Sequence, residues 1–182
     1  MQSYFRLSAS SSLRRPLSIF GLPEQYQKAA EKDVFDHLDQ AIVAYFRAEA
    51  HEELPAVLSD PSFLISDELK KLFTLYIPDL QAKMIQLFAG ELDSRESYRY
   101  WLPYFPPAFC LHENVERYPD GSVKQIVLNR MCLPPEPIFR IGGMHEYRVV
   151  VELSVAESIL RRSPYGVDLT PVEVRSVSYT HL

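Results

Sequence analysis

Two segments of the chain repeat the same order of features: an apolar run, a serine, a short amphipathic stretch, a proline or glycine, and a second apolar run. They span residues 63–88 and 151–174, and their serines, Ser66 and Ser154, lie 88 residues apart. The apolar runs have the length of strands, and the stretches between them have the spacing of helices. Each segment therefore predicts a strand–helix–strand unit, and the pair predicts two related halves. The alternative is that such units are common and that the likeness is coincidental.

The serines are predicted to begin the two helices. Ser66 is followed directly by acidic residues, which suit the positive end of a helix dipole. Ser154 and Glu157 match the S-x-x-E capping box, in which each side chain bonds a free backbone N–H group of the first turn. In this second helix, Ile159 and Leu160 are expected to face the core.

The rest of the chain adds strands and one longer helix. Strands are predicted at residues 3–7, 138–141 and 147–153, and a β-meander at residues 97–133, which contains a Pro-Asp-Gly-Ser turn. Apolar residues at spacings of three and four predict an amphipathic helix over residues 24–48, although "IVAYF" at 42–46 also fits a strand. The pattern predicts one α+β domain over residues 1–175, with a mixed or antiparallel sheet and a few packed helices.

Acidic residues are concentrated in one block. The chain has a net charge of −5, and residues 24–68 contain eleven acidic and three basic side chains, a net charge of −8. This balance argues against nucleic acid as a partner, because phosphate binding needs a basic patch. The block is either a solvated face or a surface that attracts a basic partner protein. If the helix buries its apolar side, Asp33, Asp36 and Asp39 point outward together, and we predict them as binding residues.

Composition favours a cytoplasmic protein that does not enter a membrane. No window approaches the ~18 apolar residues of a membrane-spanning helix. Two cysteines do not make a disulfide framework, and they suit a reducing compartment. The first 18 residues are rich in serine and arginine, which overlaps with organelle transit peptides. The competing interpretation of that segment is the N-terminal strand followed by a polar loop.

Candidate metal ligands are few. Cys110 and His112 lie two residues apart, so in a strand their side chains share one face. Cys132 and His145 could complete a tetrahedral zinc site, but no C-x-x-C pair is present. The other interpretation is that the cysteines are small buried residues and that His112 is a strand histidine with a hydrogen-bond partner. No cofactor is predicted.

Catalytic motifs are absent from the sequence. It contains no phosphate-binding loop, dinucleotide fingerprint, nucleophile elbow or H-E-x-x-H. His145 beside Glu146 is the candidate for acid–base chemistry, although no other residue converges on the pair by sequence. Tyr98, Tyr100 and Trp101 are predicted as a partner-binding surface, because tyrosine and tryptophan anchor interfaces; core packing is the competing interpretation.

Several stretches resemble a group of uncharacterised bacterial proteins. The matching stretches are "YFRL" (4–7), residues 58–80, "IVLNR" (126–130), "IFRIGG" (138–143) and residues 151–169. The paired strand–serine–helix units are similar to an immunity-protein family associated with bacterial polymorphic toxins. The resemblance implies a cytosolic, non-enzymatic protein that binds and occludes one cognate toxin. Its motifs are fold motifs, so it implies no binding residues.

Two other functions remain open. One is a small hydrolase-like enzyme that uses His145 and Glu146, and the other is a structural or regulatory domain without catalysis. The last residues, "SVSYTHL", resemble a translated sequencing adapter. Residues 176–182 are therefore expected to be a non-native tail.

Overall fold

The computed structural model of the chain describes residues 3–12, 17–47, 53–90 and 96–176, which contain twelve strands and four α-helices. The strands are β1 (Tyr4–Ala9), β2 (Ser18–Phe20), β3 (Ala41–Arg47), β4 (Val57–Leu58), β5 (Leu64–Ser66), β6 (Ala82–Ala89), β7 (Ser97–Pro103), β8 (Pro107–Ala108), β9 (Val127–Asn129), β10 (Ile138–Ile141), β11 (Val149–Glu152) and β12 (Val167–Arg175). The helices are α1 (Glu24–Gln27), α2 (Lys32–Asp36), α3 (Asp67–Tyr76) and α4 (Leu153–Arg162). The proposed tail lies outside the described residues, apart from Ser176.

The strands form two mixed sheets. The first sheet has the order β8-β10-β11-β1-β12-β9, and the second has the order β2-β3-β6-β7-β5-β4. Most neighbouring strands are antiparallel, and the pairs β8–β10, β9–β12 and β3–β6 are parallel. The predicted α+β class is confirmed. None of the described helices is long and apolar enough to cross a membrane.

Each sheet contains one strand–helix–strand unit of the same topology. In the second sheet, β5 leads through α3 to β6, and β7 lies between the two strands. In the first sheet, β11 leads through α4 to β12, and β1 lies between them. Both helices have ten residues, and they begin 86 residues apart, at Asp67 and Leu153. The N-terminal strand β1 thus takes the place in the first sheet that β7 has in the second.

The two helices begin differently. The Ser66 hydroxyl accepts a hydrogen bond from the Leu69 N–H group at 3.3 Å, which confirms the predicted cap of α3. The predicted Ser154 cap is wrong, because the N-cap of α4 is Glu152, two residues earlier, and Glu152 makes no side-chain capping bond. The Leu153 N–H group instead donates to the backbone oxygen of Ser3, 3.0 Å away. The residue that precedes β1 therefore supplies an acceptor for the first N–H group of α4, whereas the serine before α3 supplies one for the third N–H group of that helix.

The side of α4 that faces the core is narrower than predicted. Val155, Ala156 and Ile159 are buried, as expected for a stripe at helical spacing. Leu160 is 63% exposed, so its predicted inward position is wrong. It follows Ile159 by about 100° around the helix, which carries it beyond the stripe.

The predicted helix over residues 24–48 is wrong in most of its length. Two short helices, α1 and α2, are followed by strand β3, which pairs with β6 from Ala41↔Met84 to Phe46↔Ala89. Pairing with a strand some forty residues away outweighs the local helical spacing, because it satisfies the backbone and buries Ala44 and Phe46. The strand interpretation of "IVAYF" is therefore the correct one.

Residues 97–133 do not form one meander. β7 belongs to the second sheet, whereas β8 and β9 belong to the first. The predicted turn is present: the Tyr118 N–H group donates to the Ser122 oxygen at 2.8 Å, and Gly121 has a φ of 86°. Its flanks are joined by the isolated bridge Arg117↔Val123 rather than by a long ladder.

Three clusters of buried residues hold the layers together. The central core lies where α3, α4 and the inner faces of both sheets meet, and it contains Leu7, Ile65, Phe73, Val151 and Ile159. A second cluster joins α1 and α2 to the outer face of the second sheet, and a third lies on the outer face of the first sheet. Because both sheets share the central core, the described residues form one α+β fold.

Candidate functional site

Part of the second sheet presents apolar side chains to solvent. Along β3, Ala44 and Phe46 point into the cluster under α2, so Val43 and Tyr45 point to the opposite face. On that face α3 packs on β5 and β7. Phe20, Val43 and Tyr45 are 38%, 50% and 43% exposed there, and together they form what we term the open aromatic face.

The rings of the open aromatic face are held in place. Phe20 lies directly opposite Tyr45 in the β2–β3 ladder, and their rings stack with centroids 5.7 Å apart. The Arg47 guanidinium lies over the Phe20 ring, 5.2 Å from its centroid. At Gly90 a Cβ atom would come within 2.8 Å of the Phe20 ring, so a larger residue at this position would displace the ring from the end of β6. Rings fixed in this way lose little conformational entropy when a partner covers them.

The three predicted acidic residues are exposed together, although they do not share one helix. Asp33 and Asp36 lie on α2, and Asp39 lies in the turn before β3. Phe35 and Leu38, between them, are buried in the cluster under α2. We term Asp33, Asp36 and Asp39 the acidic surface. Because α2 covers the side of the second sheet to which Phe46 points, the acidic surface lies on the opposite side of that sheet from the open aromatic face.

The aromatic residues of β7 do not form one surface. Tyr98 is partly exposed, and its ring meets Phe46 edge to face at 5.8 Å. Tyr100 is only 2% exposed, and its hydroxyl donates to the Pro55 oxygen at 2.6 Å, so its predicted place on a binding surface is wrong. Burial raises the pKa of Tyr100 well above its ordinary value. Tyr100 is a core residue that also satisfies a backbone carbonyl.

Trp101 points to the other face of β7. Its Nε1–H donates to an Asp67 carboxylate oxygen at 2.9 Å, and the Lys70 ammonium lies 4.7 Å from its ring centroid. The side chain is half-buried under α3. These contacts give Trp101 a structural function, which is to join α3 to the second sheet.

His145 and Glu146 line a cleft of about 370 Å³ between the α1–α2 segment and the loop that follows β10. One wall is Arg140, which donates to the Ala30 oxygen at 3.0 Å and lies over the Tyr147 ring at 5.2 Å. Burial raises the pKa of Tyr147 to about 12. Residues of both sheets and of the α1–α2 segment thus line the cleft.

Within this cleft, the Glu146 carboxylate has two different environments. One oxygen lies 3.8 Å from Arg148 Nη2, and the other is buried with no hydrogen-bond partner among the described residues. His145 is exposed, and its Nε2 lies against the turn at Gly121. No hydrogen bond of the described residues joins His145 to Glu146 or to a serine of the cleft, so the structure does not assemble a nucleophile–base pair here.

The predicted metal ligands do not come together. Cys110 and His112 are buried, whereas Cys132 is exposed. His112 Nδ1 accepts a hydrogen bond from the Asn114 N–H group at 3.2 Å, and burial raises the pKa of the Cys110 thiol to about 11. Within the described parts of the chain, no group of three or more His, Cys, Asp or Glu residues is placed to hold a metal ion.

Comparison with protein-family models and with curated proteins gave no match to this chain. The site must therefore be inferred from its chemistry. Phe20, Val43 and Tyr45 were not identified from the sequence. The sequence carries no signal for them: residues 41–46 are apolar throughout, so no alternation of apolar and polar residues marks the face that stays open, and Phe20 lies outside this run.

Proposed function

We propose that this protein is a non-enzymatic binding protein of the toxin-immunity type, which acts by occluding a partner protein. The observation that carries the proposal is the open aromatic face. Isolated apolar side chains are common on protein surfaces, but a contiguous apolar group with stacked rings is typical of an interaction site. The resemblance of the fold motifs to toxin-immunity proteins supports a toxin as the partner.

The chemistry of the face suits the centre of an interface. Tyrosine and phenylalanine bury a large area with only two side-chain torsions, and Arg47 adds a donor beside them. β2 is an edge strand of the second sheet, so a partner that covers Phe20 also meets backbone groups that are not paired within the sheet. The expected contact is an apolar centre with a polar rim.

The acidic surface has a different part in the proposal. Because it lies on the opposite side of the second sheet, it does not sit at the centre of the same contact. A concentration of negative charge still accelerates the approach of a basic partner, since its field extends about 8–10 Å at physiological salt. We therefore assign Asp33, Asp36 and Asp39 to long-range attraction of a basic toxin.

Binding to the product of a toxin-like gene adjacent to the coding gene tests the proposal. Tyr45→Ser and Val43→Ser should each weaken binding at least about tenfold, as expected for truncation at the centre of an interface. Leu75→Ser is the matched control, because Leu75 is 72% exposed on α3 and outside the face, and it should leave binding unchanged.

Circular dichroism and thermal melts must show that every variant is folded. The proposal is wrong if the toxin-like protein binds wild type and both face variants equally. It is also wrong if the wild-type protein neither binds that product nor protects cells that express it.

The second candidate is a small hydrolase in the His145–Glu146 cleft. The observation that favours it is the buried Glu146 oxygen with no hydrogen-bond partner, because such an oxygen can accept a proton or a substrate hydrogen bond. A panel of ester and amide substrates tests this candidate. Turnover above background that is lost in Glu146→Gln would favour the enzyme, and the absence of turnover would favour the binding protein.

A further inference from the structure

A basic pocket lies on the outer face of the first sheet. It has a volume of about 260 Å³ and is bounded by β1, β12 and residues 123–126. Its polar lining residues are Arg6, Lys124, Gln125, Arg148 and Thr170, and no acidic residue lines it. The chain as a whole has a net charge of −5, whereas the charged side chains that line this pocket are all positive.

Strand register places the two arginines on one face. Arg6 in β1 lies opposite Val150 in β11, and Arg148 precedes Val150 by two residues. Since alternate residues of a strand share a face, Arg6 and Arg148 are diagonal neighbours, with a spacing of about 7–8 Å that long side chains easily bridge. On its other side Arg6 lies opposite Thr170 of β12. The pocket floor is therefore set by three adjacent strands.

Arg6 is the residue with unused hydrogen-bonding capacity. Its Nε atom is buried and has no hydrogen-bond partner within the described structure. A buried donor on a charged group is costly to leave unpaired, and a guanidinium is always charged. The other two cations have loose or exposed partners: Lys124 lies 3.2 Å from Glu116, and Arg148 lies 3.8 Å from Glu146.

We propose that this pocket binds an oxyanion, namely the phosphate or carboxylate group of a small molecule. Arg6 donates from the floor of the pocket, Arg148 donates from the adjacent strand, and Lys124 closes the rim. The fork of N–H groups on arginine matches the oxygens of phosphate and carboxylate, and charge-assisted bonds of this kind are the stronger ones. Drug-sized ligand pockets start at about 300 Å³, so this ligand is at the small end of the range.

The site is independent of the proposed partner interface. The open aromatic face belongs to the second sheet, whereas the pocket belongs to the outer face of the first. A failure of one proposal therefore leaves the other standing. The pocket gives the protein a means of responding to a small anionic molecule.

Inorganic phosphate and citrate are the probes, each titrated against chloride at constant ionic strength. We expect one or both to raise the melting temperature of the wild-type protein in a saturable manner, because a ligand that binds only the folded state stabilises it. A response to phosphate alone would assign a phosphate group, and a response to citrate alone would assign a carboxylate. Isothermal titration calorimetry then measures the affinity for the anion that responds.

Arg6→Met and Arg148→Met should each weaken that affinity at least about tenfold, since each removes a charge-assisted donor. Arg161→Met, on the exposed side of α4, is the control and should bind as wild type does. Two arginine variants are used so that a folding defect in one still leaves a test. The proposal is overturned if neither anion gives a saturable response in the wild-type protein, or if a folded Arg6→Met or Arg148→Met variant binds with wild-type affinity.

Discussion

At the scale of single residues, Asp67 shows how a capped helix start becomes part of a larger network. Its carboxylate accepts from Trp101 Nε1, lies 2.8 Å from Lys71 Nζ in the next turn of α3, and lies 4.0 Å from Arg99 of β7. The hydrogen bond from Lys71, followed by that from Trp101, lowers the pKa of Asp67 below its ordinary value. The Asp67 side chain thus interacts favourably with the positive N-terminal end of the α3 dipole and also joins the helix to the second sheet.

Asp67→Asn should lower the free energy of unfolding by about 1 kcal/mol at pH 7, because the amide keeps an acceptor for Trp101 but loses the charge. A lowered folded-state pKa means that the stabilisation is present above the unfolded value of about 3.9 and is lost as the pH falls through the folded value. The difference between wild type and variant should therefore shrink below about pH 4. Urea melts at pH 7, 4 and 3 measure it.

Asp79→Asn, at an exposed acid beyond the end of α3, is the control for this experiment. It should stay within about 0.5 kcal/mol of wild type at each pH. A constant difference between wild type and Asp67→Asn across the pH series would contradict the assigned network.

The two cysteines should differ sharply in reactivity. Burial raises the pKa of Cys110 to about 11, whereas Cys132 is exposed. Because the thiolate is the reactive form, a thiol reagent should label only Cys132 in the native protein and both cysteines in denaturant. Cys132→Ser should abolish native labelling. Protection of Cys132, together with stoichiometric zinc by elemental analysis, would instead support the metal site predicted from sequence.

At the scale of elements, α3 and α4 are matched in length and topology but differ in their N-terminal capping. Ser66 caps α3 with its hydroxyl, whereas the first N–H group of α4 donates to the backbone oxygen of Ser3, the residue before β1. The helices also contact each other through the Tyr76 hydroxyl, which donates to the Ser154 oxygen at 3.0 Å. In each helix a different N–H group of the first turn thus bonds a different kind of acceptor, a side-chain hydroxyl in α3 and a backbone oxygen in α4.

This difference predicts unequal effects of one substitution. Ser66→Ala should lower the free energy of unfolding by about 1 kcal/mol, because the Leu69 N–H group loses its acceptor. Ser154→Ala should change it by less than about 0.5 kcal/mol, because that serine contributes only its backbone oxygen to the described bonds. Urea melts of both variants decide the matter; equal losses would mean that Ser154 acts as a cap in solution.

At the scale of the whole molecule, the central core sets which faces are left free. α3 and α4 lie where the two sheets meet, and the outer faces of the sheets are covered by α1, α2 and the segment around Cys110. The part of the second sheet that α3 does not reach is the open aromatic face. The acidic surface lies beyond α2, so the molecule presents apolar and acidic regions on different sides.

Charge attraction by the acidic surface should be visible in binding kinetics. The association rate with a basic partner should fall as salt rises, and the triple variant Asp33→Asn, Asp36→Asn, Asp39→Asn should associate more slowly at low salt. Dissociation should change little, because these residues do not lie at the centre of the contact. The folded protein should keep or slightly gain stability as repulsion is removed. If the association rate does not change across a salt series, the acidic residues do not attract the partner and serve only to keep this surface solvated.

The exposure of the candidate site was only partly predictable. Asp33, Asp36 and Asp39 were correctly expected to point outward, since their spacing opposes that of Phe35 and Leu38 whether the helix is long or short. The open aromatic face could not be foreseen in the same way. Its exposure depends on where α3 packs, which is over β5 and β7, and this is a relation between distant segments.

Local sequence by itself determined the elements whose stabilisation is local. Ser66 and the apolar spacing behind it specify the start and the buried side of α3, and the apolar run at residues 82–88 specifies β6. Tertiary structure alone decided the rest. Residues 42–46 became a strand because β6 offered a partner, Tyr100 became a core residue because Pro55 offered an acceptor, and α4 began at Leu153 because Ser3 lay beside it. In each case the deciding hydrogen bond or burial joins residues far apart in the chain, and no local pattern carries that information.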